Sequence, residues 1–218
     1  MIGLLLLVEL LLLYRLSQVV HTYIFLLLNR VFRSKQIALW LYSILFLPGT
    51  IVHELSHFLV ATVLLVRTGD IKLMPEFFDG GVKLGEVGIA KTDPIRKFFI
   101  GIAPVIIGLC IIFSLLFVAT TNGLTNDWRI VLIVGYLTFV FGNTMFSSKK
   151  DLEESWKFFV ILIAILAALL VLRAPLELIL PLLLSPQTQQ LLINACKFLL
   201  LPVSIDVVIV AIARFIRG

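Results

Sequence analysis

The chain has 218 residues, of which 61% are hydrophobic and only 14% charged, and a mean hydropathy of +1.12. A water-soluble domain is roughly half apolar by the same count, so no interior of this size could hide so much apolar surface, and the bilayer must be part of the solvent. The net charge of +5 does not mark a nucleic-acid binder, because the basic residues cluster between apolar runs instead of forming a basic stripe on a soluble module.

The first apolar stretch runs from about Ile2 to Leu28 with Glu9, Arg15, Gln18 and His21 embedded in it. It lacks a basic leading region, Glu9 interrupts it, and no small-residue cleavage site follows before Arg15, so it reads as a retained helix, not a signal peptide. Polar residues within a span face the protein interior. Glu9 and Arg15 are therefore expected to pair in the bundle, and His21 to be a hydrogen-bonded interior histidine. The second stretch, Ile37 to Val66, is too long for one straight crossing of about 20 residues. Pro48-Gly49 is predicted to break or kink it, which puts His53 in the first turns of a fresh helical segment.

From Arg67 to Lys97 the sequence turns charged and glycine-rich, with short alternating runs. Phe77 to Val82 predicts a β-hairpin, since Asp79-Gly80 supplies the positive φ angles that a tight turn requires. Apolar spans follow at about Phe98–Ala119 and Ile130–Phe146, separated by the polar turn Thr120–Asp127. Ser147 to Glu154 is a charged break. Phe158–Leu184, interrupted by Arg173, Pro175 and Pro181, and Leu191–Ile216, containing Lys197, Pro202 and Asp206, complete the chain. Cys110 and Cys196 lie far apart inside apolar runs, as small core residues do.

The fold class expected is an all-α polytopic membrane protein with about six transmembrane helices and a small β-hairpin or sheet inserted between the second and third. One domain spans 1–218, with a core of about 37–152 and accessory helices at 1–36 and 153–218. No internal repeat is present. Six crossings put the loops after the second and fourth spans on the side of both termini. The basic excess of those segments, from Arg67, Lys72 and Lys83 to Lys149, Lys150 and Arg217, predicts that this side is the cytoplasmic face of the cell membrane.

Chemistry concentrates at His53-Glu54-Leu55-Ser56-His57, which holds two of the three histidines. Residues four apart share a helix face, so both imidazoles can reach one metal ion, and Glu54 on the adjoining flank can reach a water at that ion. Zinc suits two neutral imidazoles plus a carboxylate, with a fourth position open for water. A set of interior histidines with ordinary hydrogen bonds is the plainer reading, but it leaves three ionisable side chains amid Ile51, Val52, Leu55, Phe58 and Leu59 unexplained. The third ligand is open among Asp151, Glu153, Glu154, Glu177 and Asp206. Asp151 emerges on the side toward which the second span runs, and a non-helical Ser147–Lys150 segment would let it dip back to the histidines.

His-Glu-x-x-His inside a membrane span, with an aspartate after a later span, resembles the site-2 protease family of intramembrane zinc metalloproteases. In that family an Asn-x-x-Pro segment precedes a Leu-Asp-Gly whose aspartate is the third zinc ligand, and Asn143 and Asp151 keep the family's separation. Gly101-Ile102-Ala103-Pro104 is similar to the family's Gly-Pro-containing third core span. The similarity covers roughly Pro48 to Leu152. Phe146 stands where the family has proline, and Lys150 and Leu152 flank the aspartate, so the chain resembles a divergent member. The resemblance implies that His53, His57 and Asp151 bind Zn2+, that Glu54 is the catalytic base, and that Asn143 helps hold the substrate backbone.

The function expected is a zinc metalloendopeptidase cleaving a membrane-anchored protein substrate in the lipid bilayer, with no nucleic-acid partner. The edge of the hairpin region could pair with an unwound substrate strand, or it could be a plain lid. Three rivals remain. One is a non-proteolytic membrane scaffold or chaperone with the same fold. Another is a different zinc peptidase taking Glu153, Glu154 or Glu177 as third ligand. The last is a transporter using Glu9 and Asp206 without zinc.

Overall fold

The computed structural model describes residues 2–72, 76–78, 81–83, 85–146 and 185–217. Its helices are α1 (Ile2–Phe32), α2 (Lys35–Val63), α3 (Pro94–Thr121), α4 (Trp128–Thr144) and α5 (Pro186–Arg217). Four of them, α1, α2, α3 and α5, are long and apolar enough to cross a membrane, and α4 is a shorter apolar helix of 17 residues. The chain is thus a mainly helical, integral membrane protein. The further span expected over 158–184 lies outside the described residues, as do Asp151, Glu153, Glu154 and Glu177.

Helix starts follow local chemistry. Ser34 caps α2 by accepting from the Ile37 N–H. Asp93 caps α3 by accepting from the Ile95 and Arg96 N–H groups, with Pro94 at the first helical position. Asp127 caps α4 through the Arg129 N–H. Each cap satisfies donors that the first turn cannot bond internally. The Asp93 carboxyl is correspondingly held below its ordinary pKa, chiefly by the Arg96 backbone N–H.

Of the break or kink expected at Pro48, the break is absent, because α2 is continuous from Lys35 to Val63 with Pro48 inside it. A proline is tolerated in a buried span when neighbouring helices support the freed backbone. His53 therefore lies well within a long helix instead of near the start of a new one. Two stripes define that helix. Trp40, Ile44, Leu47, Ile51, Leu55, Leu59 and Val63 are exposed along one side, as a lipid-facing stripe would be, while Tyr42, Phe46, Gly49, Thr50, Glu54, His57 and Ala61 are buried along the other. The polar motif continues the inward stripe.

Among the described residues three apolar clusters form, the smallest being Ala61, Val66 and Ile100. Leu13, Ile112, Leu116, Phe141, Met145, Leu199 and Val203 join α1, α3, α4 and α5 in the first. Val20, Tyr42, Phe46, Phe139, Val140 and Val210 join α1, α2, α4 and α5 in the second. Cys196 is buried as expected, whereas Cys110 is exposed on α3. Glu9 is buried against α5, within hydrogen-bonding reach of Cys196, and makes no ion pair with Arg15, which is exposed.

Between α2 and α3 stand β1 (Thr68–Lys72), β2 (Glu76–Phe78), β3 (Gly81–Lys83) and β4 (Glu86–Ile89). Strands β2 and β3 pair antiparallel with Phe77 opposite Val82 and Phe78 opposite Gly81, the register of the expected two-residue hairpin. Strands β1 and β4 form an outer antiparallel pair, Ile71 opposite Val87, that packs against α2.

Candidate metal centre

The inward stripe of α2 meets α3 and α4 at His53 and His57. Two backbone features let it do so. Gly49 lies one turn before His53 and directly against α4, where a Cβ would collide with the Thr144 side chain and come within 2.8 Å of Val140 Cγ1. Only glycine allows that approach, which brings the carbonyl of Thr144, the last residue of α4, to 2.6 Å from His53 Nδ1. Helix-terminal carbonyls have no donor in their own helix, so this one is available to a side chain. On the other flank, Pro104 has no N–H to give to the carbonyl four residues earlier. That carbonyl belongs to Ile100, and His57 Nδ1 donates to it at 2.8 Å.

A carbonyl oxygen can only accept, so both Nδ1 atoms carry the hydrogen, and in the neutral rings both Nε2 atoms present lone pairs. Those two Nε2 atoms stand 3.2 Å apart, with the rings nearly perpendicular at 84°. A shared cation, either a metal ion or a proton, would offset the repulsion of two lone pairs at that distance. Zinc–imidazole bonds of about 2.0–2.1 Å in a tetrahedral site would set the nitrogens roughly 3.3 Å apart, so the pair fits zinc. Metal-bound histidines usually donate their other ring N–H to a carbonyl or carboxylate, the arrangement found here twice.

Glu54 is 8% exposed and His57 5% exposed. The segment entering β4 covers the glutamate: a Cβ on Gly85 would stand 2.9 Å from Glu54 Cγ, 3.0 Å from its Oε1 and 3.0 Å from Thr50 Cγ2. The segment entering β4 thus lies on Glu54 through a residue without a side chain. Among the described residues no group of three or more His, Cys, Asp and Glu side chains converges on one point. Asp151 falls outside the described residues.

Asn143 is 2% exposed and its amide is engaged within the bundle, donating to the Phe139 carbonyl at 2.9 Å and to Asp206 Oδ1 at 2.8 Å. Asp206 is fully buried on α5 and takes this partner instead of Lys197 or Arg214, both of which are exposed. It does not join the histidine pair as a third ligand. His21 is the interior histidine expected: it meets the Tyr42 hydroxyl at Nδ1, 2.8 Å, and donates from Nε2 to the Asn143 carbonyl, 3.0 Å. Sequence reasoning missed the Gly49, Gly85, Thr144 and Ile100 contributions. Only the Ile100 carbonyl left a trace, in the proline four residues after it.

No family model, curated protein or solved structure matches the chain.

Proposed function

We propose that the chain is a zinc-dependent intramembrane endopeptidase that cleaves a membrane-anchored protein within or beside its transmembrane segment. The observation that carries this reading is the convergence of His53 Nε2 and His57 Nε2 at 3.2 Å, with each Nδ1 fixed on a backbone carbonyl and a buried glutamate on the adjoining flank. Zinc would be held by His53 and His57 with Asp151 as third ligand, in a six-crossing bundle whose site opens toward the cytoplasm. Bound there, zinc supplies Lewis acidity and a water of lowered pKa.

The chain's own groups do the rest. Thr144 and Ile100 lock the imidazole tautomers so that both Nε2 atoms stay available as ligands. The Glu54 carboxylate accepts the proton of the attacking water and returns it to the amide nitrogen that leaves. Burial of Glu54 under Gly85 keeps bulk water from that carboxylate. The β1–β4 pair, which Gly85 leads into, would offer its edge to an unwound substrate strand beside the reacting bond. A role for Asn143 in holding the substrate backbone would run through Oδ1, since its amide hydrogens are taken by Phe139 and Asp206.

The test is cleavage by the purified chain, reconstituted with a panel of single-span membrane proteins and read by mass spectrometry, against its Glu54→Gln variant. Cleavage by the wild type that disappears in the variant, with zinc retained in both, is the outcome expected. Zinc in both with no cleavage by either would leave the scaffold reading in its place.

A further inference from the structure

We infer that Asp206 is a positioning residue for the metal centre, acting through Asn143 and the last turn of α4 on the His53 ring; this rests on His53 being a metal ligand. Consecutive residues at the end of α4 carry the whole linkage. The Thr144 carbonyl holds His53 Nδ1 at 2.6 Å, the Asn143 carbonyl holds His21 Nε2 at 3.0 Å, and the Asn143 amide is held by Asp206 Oδ1 at 2.8 Å. The terminal carbonyls of a helix lack donors in their own helix, so the orientation of this turn depends on what ties it from outside. Planar peptide units transmit a displacement of Asn143 directly to the Thr144 carbonyl. The tie runs from α5, an accessory helix, to a ligand on α2.

The cost of that tie argues that it serves placement. Asp206 is fully buried, and its single hydrogen bond among the described residues comes from a neutral amide. Its Oδ2, and the Oδ1 of Asn143, are buried without a hydrogen-bond partner there. An apolar residue at 206 would hold α5 against the bundle without such a penalty. What the carboxylate adds is a fixed acceptor at one point on Asn143. His57 has a separate anchor, the Ile100 carbonyl on α3, and stands outside this linkage.

The experiment measures zinc affinity by chelator competition, and the visible spectrum of the cobalt-substituted form, on the full chain in detergent. Wild type is compared with Asp206→Ala, Asp206→Asn, Asn143→Ala and the double alanine variant. Removing an outer partner of a metal ligand typically costs about 10–100-fold in affinity. Expected here is about a tenfold loss, the low end of that range, in each alanine variant, with an altered cobalt spectrum. No further loss is expected in the double variant, and Asp206→Asn, which keeps an acceptor, should recover wild-type affinity. Unchanged affinity and spectrum in a folded Asp206→Ala would overturn the inference, whatever happened to its thermal stability. If that variant does not fold, the same two readings on Asn143→Ala decide. Wild type that binds no zinc would overturn the metal-centre reading itself, and this inference with it.

Discussion

Two buried polar clusters meet on the same turn of α4, and they differ in where the second nitrogen of each histidine points. In the cluster of α1, His21 has one nitrogen on the Tyr42 hydroxyl and the other on the Asn143 carbonyl. Its hydrogen bonds close on themselves, and the ring is a strut between helices. In the cluster of α2, the Nδ1 atoms of His53 and His57 are likewise tied to carbonyls, but the Nε2 atoms face each other. The same type of side chain at similar depth is structural in one place and poised to share a cation in the other. Burial alone does not separate them; the direction of the remaining lone pair does.

The sharpest way to probe that difference is at the glutamate that only the second cluster possesses. Glu54→Gln should lower peptide-bond cleavage on the order of 10²–10⁴-fold, the usual contribution of a general base, while zinc content stays at the wild-type level. Next in size is Gly49→Ala, whose methyl would collide with Thr144 and Val140. Overpacking of this kind costs about 1–3 kcal/mol, read as a lower unfolding midpoint, and it should also weaken zinc by pushing the Thr144 carbonyl away from His53. Tyr42→Phe tests the closed cluster. Loss of the hydroxyl on His21 should cost about 1 kcal/mol of stability and leave zinc content unchanged; a variant that sheds zinc would erase the distinction between the clusters.

The smallest effect lies away from both. Asp93 has a depressed pKa in the folded chain because its carboxylate accepts from the Arg96 and Ile95 N–H groups. A carboxyl whose folded pKa lies below its unfolded one stabilises above the unfolded pKa and loses that contribution as pH falls through the folded one. Asp93→Asn should therefore flatten the acid limb of the stability profile slightly, measured by thermal unfolding across mildly acidic pH.

Much of this was legible because it is local. The four-residue spacing of His53 and His57 put both rings on one helix face, and Asp79-Gly80 between short apolar runs specified a hairpin whose register is the one found. What could not be read was anything set by contact between distant segments. Pro48-Gly49 looked like a helix break or kink because proline breaks or bends isolated helices. In the bundle the helix continues through it, and the glycine serves as a contact with α4. Asp206 has Lys197 and Arg214 on its own helix, yet its partner is Asn143 on α4, a choice fixed by packing. Glu9 was expected to find Arg15, yet lies against α5. The carbonyls that orient the two imidazoles are backbone atoms, which any residue type can supply, so the identities of Thr144 and Ile100 give no warning of them, and only Pro104 hints that the Ile100 carbonyl is open to another donor.

The most direct test of the central claim is metal analysis of the chain purified without chelators, beside its His57→Ala variant. If the two Nε2 atoms share a metal ion, wild type should carry about one zinc per chain and the variant essentially none while remaining folded. Wild type free of zinc, or zinc retained undiminished in His57→Ala, would contradict the account and return the histidine pair to the same structural role as His21.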